Sequence, residues 1–348
     1  MECWPACGSV KPEGAANAAP GSSIADQQRP DPSAEIGKLN VMTTSSSKDR
    51  SFLQGHANGG VWDKAGAPTG EDAWKPRDLG NGVFALEVDS GNPGGTLGML
   101  VDDEGSVLID NGLQKSAAVT VAATEALAGG PVDHLISTHL HGDHVGCNAN
   151  YAAAGTAIIS HIDTRNALLA DETFDKAGLP TLTFTDRASF HLNGMTLDLI
   201  PFANAHTISD TIVHFVEANV IHASDLFFNK IYPFIDLENG GDIDGFISAQ
   251  RQIIELADDA TVIIAGHGPI GNKADLQAAV ELLIAIKASM TPLVEQKMSI
   301  EDVLRENPLA RFEGFAWFHI PTERMTKIVY HLLTEGRSSA VDGMPSRS

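Results

Sequence analysis

Cysteine is scarce in this sequence, with three in 348 residues. Two of them, Cys3 and Cys7, fall in a Gly- and Pro-rich start, so no disulfide framework is available. Basic charge is short as well. Lys and Arg number 23 against 45 Asp and Glu, a net charge of −22. That balance argues against a partner whose phosphates must be neutralised, whether nucleic acid or anionic lipid. No apolar run reads as long enough to cross a bilayer. The first residues also lack the basic start and apolar middle of a secretory signal. The expectation is a soluble cytoplasmic protein acting on a small molecule, with no nucleic-acid or membrane partner. An upstream start would reopen export, and the oligomeric state is left open. What is present is an ordinary globular composition, 43% hydrophobic and 20% charged.

Residues 1–75 show neither a helical nor a strand period and read as a disordered leader, with Trp62 and Trp74 as candidate pins to the folded part. A single domain is expected over 76–338, with recognisable structure from about Asn81, followed by a flexible tail at 339–348. Strands are predicted at 82–88, 98–101, 106–109, 134–137 and 156–160. Further strands follow at 189–202 around Asn193-Gly194, then at 211–216, 219–223 and 261–265. Helices are predicted over 116–127 and 163–176. The apolar sets Ile243/Phe246/Ile247/Ile254, Leu276/Leu283/Met290 and Met325/Ile328/Val329/Leu332 each mark one helical face. Hairpins mixed with helices exclude a purely parallel sheet and suggest an α+β fold: two mixed sheets packed face to face with helices outside.

The chemistry is concentrated in His139-Leu-His141-Gly-Asp143-His144, which follows the apolar strand 134–137. Residues two apart on an extended segment point the same way, so His139 and His141 can reach one metal ion. Gly142 is expected to let the chain turn so that Asp143 and His144 reach a second. Imidazole and carboxylate suit zinc, and also iron or manganese. Downstream, His206, Asp225 and His267 each follow or end a strand. Any one alone reads as a loop residue; together, after that run, they read as ligands.

The motifs LIDNG (108–112), THLHGDH (138–144), NAHTISD (204–210), ASDLFF (223–228) and AGHGP (265–269) resemble those of the metallo-β-lactamase-fold superfamily over about residues 80–275. The resemblance implies an αββα sandwich. It implies one divalent ion on His139, His141 and His206, a second on Asp143, His144 and His267, and Asp225 bridging the two. It further implies a hydroxide shared by two ions, most simply zinc, that attacks a β-lactam, lactone, ester or thioester, with Asp143 orienting the nucleophile. Asp110 matches a position that orients ligand imidazoles, although a turn-capping role is equally open. A rival within the same fold is a persulfide dioxygenase holding a single iron with two histidines and an aspartate.

Substrate contacts are expected from the loop 90–95 and from Lys230, a cation that could grip a substrate carboxylate. Phe227, Phe228, Tyr232 and Phe234 read as core or as an apolar wall. His161, His214 and His222 read as structural, and His222 is expected to face away from the metals because its strand parity is opposite to that of Asp225. Cys147 reads as a small buried side chain.

Overall fold

The computed structural model describes residues 73–88, 94–192 and 194–334. The expected leader up to residue 72, with Trp62, Cys3 and Cys7, lies outside them, as do Asn193, most of the loop 90–95 and the tail.

Thirteen strands form two sheets among the described residues. The first takes β1 (Lys75–Gly80), β2 (Val83–Glu87), β3 (Leu97–Asp102), β4 (Gly105–Ile109), β5 (His134–Ser137), β6 (Ala157–His161) and β7 (Leu182–Phe184) in chain order. Its first four strands are antiparallel and its last four run parallel. The second contains β8 (Ala188–Leu192), β9 (Met195–Ala203), β10 (Ser209–Phe215), β11 (Val220–Phe228), β12 (Val262–His267) and β13 (Gly271–Asn272), again in mixed directions. The helices are α1 (Ala117–Ala128), α2 (Gly142–Val145), α3 (Asn148–Ala153), α4 (Ile162–Ala170), α5 (Ile243–Leu256), α6 (Lys273–Glu295), α7 (Ile300–Glu306) and α8 (Thr322–Thr334).

Period-two alternation sorts the strands into layers. Val83, Ala85, Leu100, Val107, Ile109 and Ile136 of the first sheet meet Leu197, Leu199, Val213, Phe215 and Ile264 of the second in an inter-sheet core. Their neighbours Phe84, Leu86, Met99, Leu108 and Leu135 point outward and pack with Ala123 and Leu127 of α1. The outer face of the second sheet packs Ile221, Ala223 and Phe227 against α5, α6 and α8 through Phe246, Leu283, Ile286, Met325 and Val329. The result is helix, sheet, sheet, helix. Each fully buried Ile, Leu or Phe contributes roughly 1.5–3 kcal/mol to holding these layers together.

Four sequence expectations change. Among the described residues the first strand, β1, precedes Asn81, where structure was expected to start, and Trp74 just before it is buried, donating its Nε1–H to Thr120 Oγ1 at 3.0 Å. KPRDLG was passed over because it is an exposed edge strand with no apolar alternation. The helix expected to Lys176 ends at Ala170. Gly142 opens α2 without a positive φ, and a Cβ there would meet nothing within 4 Å, so the turn does not need glycine. By length and composition α6 is apolar enough to span a bilayer; here its Leu276, Val280, Leu283, Ile286 and Met290 are buried in the outer core.

Candidate metal centre

The site forms where strands end at one edge of the sandwich. β5 runs out at Ser137, placing His139 and His141 in the following loop and Asp143 and His144 in α2. Asp110 follows β4, His206 lies between β9 and β10, and His267 ends β12. Asp225 sits within β11 just after Ser224, whose φ of 47° marks a bulge against β12. The extra residue cancels the parity argument for His222. That ring faces the first sheet, its Nε2 3.1 Å from Thr96 O, and it belongs to neither ligand group.

All seven residues nominated as ligands from the sequence lie together. His139, His141, His206 and Asp225 each present one ligand atom within 4.8 Å of the others, and Asp143, His144 and His267 do the same. Asp225 lies between the groups, with Oδ2 3.3 Å from His206 Nε2 and 3.4 Å from His267 Nε2 and with Oδ1 3.2 Å from His144 Nε2. Asp143 Oδ2 is 3.2 Å from His267 Nε2.

The rear of each ring explains which nitrogen faces inward. His139 Nδ1 is 3.0 Å from Thr138 Oγ1, and His206 Nδ1–H donates to Phe234 O at 2.8 Å. His144 Nδ1–H donates to Asp110 Oδ2 at 2.7 Å, and His141 Nε2–H donates to Asp236 Oδ2 at 2.7 Å. His267 is held instead by Phe228, which stacks on it at 5.2 Å, and by the tilted Trp317 ring at 5.6 Å. Asp110, at φ 59°, also accepts from Thr138 N, Thr138 Oγ1 and Ser224 Oγ, so its carboxylate fixes the loop, the bulge and the His144 ring together. Of its two sequence readings, the contact with the His144 ring fits the imidazole-orienting one. Asp236 was missed. Its only sequence signal is a carboxylate inside the apolar run YPFIDL, and it too orients a ring of the cluster.

With those rear hydrogens committed, lone pairs face one another across the centre. His141 Nδ1 is 2.9 Å from His206 Nε2 and 3.1 Å from His139 Nε2. His144 Nε2 and Asp225 Oδ1 are buried with no hydrogen-bond partner. Such an arrangement is costly unless positive charge lies among these atoms. Protonation follows the same demand. Burial, reinforced by the charge of His144, pushes His139 well below the ordinary imidazole value, and burial lowers His206. Burial opposes charge on His144 and His267 too, but Asp225 and Asp143 outweigh it, holding His144 well above its ordinary value and His267 at about 9. Asp143 and Asp225 are held well below the usual carboxylate range, because neighbouring imidazoles overcome their burial. The donor set, its orphaned atoms and its appetite for cationic charge all fit divalent metal ions.

A cleft of about 1180 Å³ opens onto both groups. Asp143, Asp225 and His267 lie at its base, and Phe228, Phe234, Trp317 and Phe318 give it an apolar wall. Phe227 and Tyr232 are core. Lys230 is not in the lining; its side chain is 68% exposed and 3.9 Å from Asp275, so the expected substrate-gripping cation does not face the cleft. His161 caps α4 and accepts from Ser209 Oγ at 2.7 Å, and Cys147 is buried behind the ligand loop.

Residues 91–267 match the family model of the metallo-beta-lactamase superfamily, and the chain belongs to that superfamily. Its fold is shared by a metallo-beta-lactamase from Pontibacter korlensis, at 19% identity and a TM-score of 0.53, covering 61% of this chain and 99% of that one. DIM-1 metallo-beta-lactamase (15%, TM-score 0.53) and TMB-1 (17%, TM-score 0.52) each cover 61% of this chain and 97% of their own. No curated protein matches the chain. The family model stops at His267, so α6, α7 and α8 and the Trp317 segment lie beyond it.

Proposed function

We propose that the protein is a metal-dependent hydrolase that cleaves a carbonyl-centred bond, such as a β-lactam, lactone, ester or thioester, in a small molecule. The observation that carries this reading is the pair of adjoining ligand groups sharing Asp225 at the base of an open cleft. His139, His141 and His206 would hold one divalent ion, most simply zinc. Asp143, His144 and His267 would hold the other, with Asp225 between them. Bound there, the ions would supply Lewis acidity, polarising a carbonyl and bringing the pKa of a water toward neutrality.

The protein's own groups do the rest. Asp143 reaches the cleft through a partly exposed carboxylate that is ionised at neutral pH, so it can orient an attacking water and accept its proton. Asp110, Asp236, Thr138 and the Phe234 carbonyl fix the tautomers of four rings, which keeps their lone pairs directed inward without rearrangement. The aromatic wall excludes water from one side of the reacting carbonyl. A single-iron oxidoreductase would use only the first group; the completeness of the second supports the two-ion hydrolase.

The test is elemental analysis of the purified protein alongside a hydrolysis screen of lactams, lactones, esters, thioesters and phosphodiesters. About two equivalents of zinc with cleavage of a carbonyl substrate is the expected result. One equivalent of iron with oxygen uptake on a persulfide would replace this reading with its rival.

A further inference from the structure

One cation on the cleft wall has no ion-pair partner among the described residues. Arg324 stands in the first turn of α8, beyond the family model, and lines the cleft. A cation near a helix N-terminus opposes the helix dipole, so helix stability does not account for it. Its Nη1 donates to His319 O at 2.9 Å. Its Nε, by contrast, is shielded from solvent and has no hydrogen-bond partner. Among the described residues no carboxylate comes within ion-pair distance of it. The neighbouring Glu323 is engaged by Lys327. Asp236, the carboxylate whose charge Arg324 feels, is saturated by His141, by Asn239 Nδ2 and by the backbone N–H groups of Glu238 and Asn239.

The guanidinium is nevertheless placed firmly. It lies over the Phe234 ring, 4.9 Å from the centroid. Phe234 stacks on His141 at 5.6 Å and receives the His206 hydrogen bond through its carbonyl, which ties Arg324 to the ligand shell. Nε is closed off, so Nη2, which makes no hydrogen bond among the described residues, is the nitrogen left to meet a carboxylate. A half-buried guanidinium with no carboxylate beside it is expensive to maintain unless an anion in the cleft completes it. The flanking surface from Trp317, Phe318 and Phe228 is apolar.

We propose that Arg324 is a specificity-determining residue that receives the carboxylate of a substrate whose body is otherwise apolar and packs along the Trp317 wall. This rests on the hydrolase reading above and narrows it to amphipathic monoanions. In a chain of net charge −22, one well-placed guanidinium also offsets the repulsion such a substrate would meet from Asp143 and Asp236.

The experiment uses the zinc-loaded full-length chain and two inert probes, 4-phenylbutyrate and its neutral amide, titrated calorimetrically into wild type, Arg324→Gln and Arg324→Lys. Wild type should bind the acid more tightly than the amide. The acid-to-amide affinity ratio should fall about tenfold in Arg324→Gln and recover in part in Arg324→Lys, the scale of one charge-assisted contact. Arg324→Met, which keeps a stem over Phe234, carries the same expectation if Gln disturbs the fold. A ratio unchanged from wild type in a folded Gln or Met variant overturns the proposal. Failure of the hydrolase reading looks different: no carbonyl substrate is cleaved, while the ratio still depends on Arg324.

Discussion

Asp236 Oδ2 accepts the Nε2–H of His141 at 2.7 Å, although 95 residues separate them. Of the five imidazoles at the centre, His141 alone turns its Nδ1 inward, and this bond is the reason. Replacing Asp236 with Asn should free the ring and weaken the first ion by roughly 10–100-fold, the usual scale for a lost ligand-orienting partner. A competition titration with a zinc chelator reads this directly. Unaltered affinity would remove Asp236 from the site.

Asp143 is expected to be needed for turnover rather than for folding. Its side chain is partly exposed at the cleft base, so Asp143→Ala should leave the protein folded, as circular dichroism checks. The rate constant on any accepted substrate should drop by about 10²–10⁴. Steady-state kinetics decides, and a near-normal kcat counts against the assigned role.

Gly266 leaves room for Asp225. A Cβ at that position would lie 2.0 Å from Asp225 Oδ1 and 2.7 Å from the Ser224 carbonyl carbon, so Gly266→Ala must displace the shared carboxylate. Loss of both ions is expected, with destabilisation of about 1–3 kcal/mol from overpacking. Metal content after dialysis is the measurement, and full occupancy would show that the bulge yields more easily than its contacts imply.

Metal uptake should release protons. Without ions, His267 has its pKa raised from 6.5 to about 9 by Asp225 and Asp143 acting against burial. A raised imidazole stabilises the folded metal-free protein fully below pH 6.5 and loses that contribution as pH climbs through 9. His139 and His206, pushed down by burial, titrate beneath this window and leave its sign unchanged. The gap in melting temperature between zinc-loaded and metal-free protein should therefore widen between pH 6.5 and 9. A gap that narrows over that range contradicts the assignment of His267 as a ligand.

Much of this centre could be read from the chain because strand ends announce themselves. HLIS running into THLHGDH joins a buried strand to four chemically distinctive side chains, and VIIAGH does the same for His267. The layers were legible for a similar reason, since apolar alternation and helical spacing are local signals. Asp236 was not legible, because its partner His141 lies far away in sequence and it sits in no patterned segment. The helix that carries Arg324 was legible, but nothing local marks which of its polar side chains turns to the cleft. Lys230 misled for the converse reason: proximity to Asp225 along the chain says nothing about which way a side chain leaves at φ 65°. The bulge at Ser224 defeated parity counting, since one inserted residue reverses every face beyond it.

The ligands are divided between the two sheets. His139, His141, Asp143 and His144 follow strands of the first, and His206, Asp225 and His267 belong to the second. On the two-ion reading, a growing polypeptide cannot assemble its complete centre until His267 has emerged from the ribosome and both halves have docked. Metal capture would then be a late event in the maturation of each molecule, and the ions would rivet the seam they depend on.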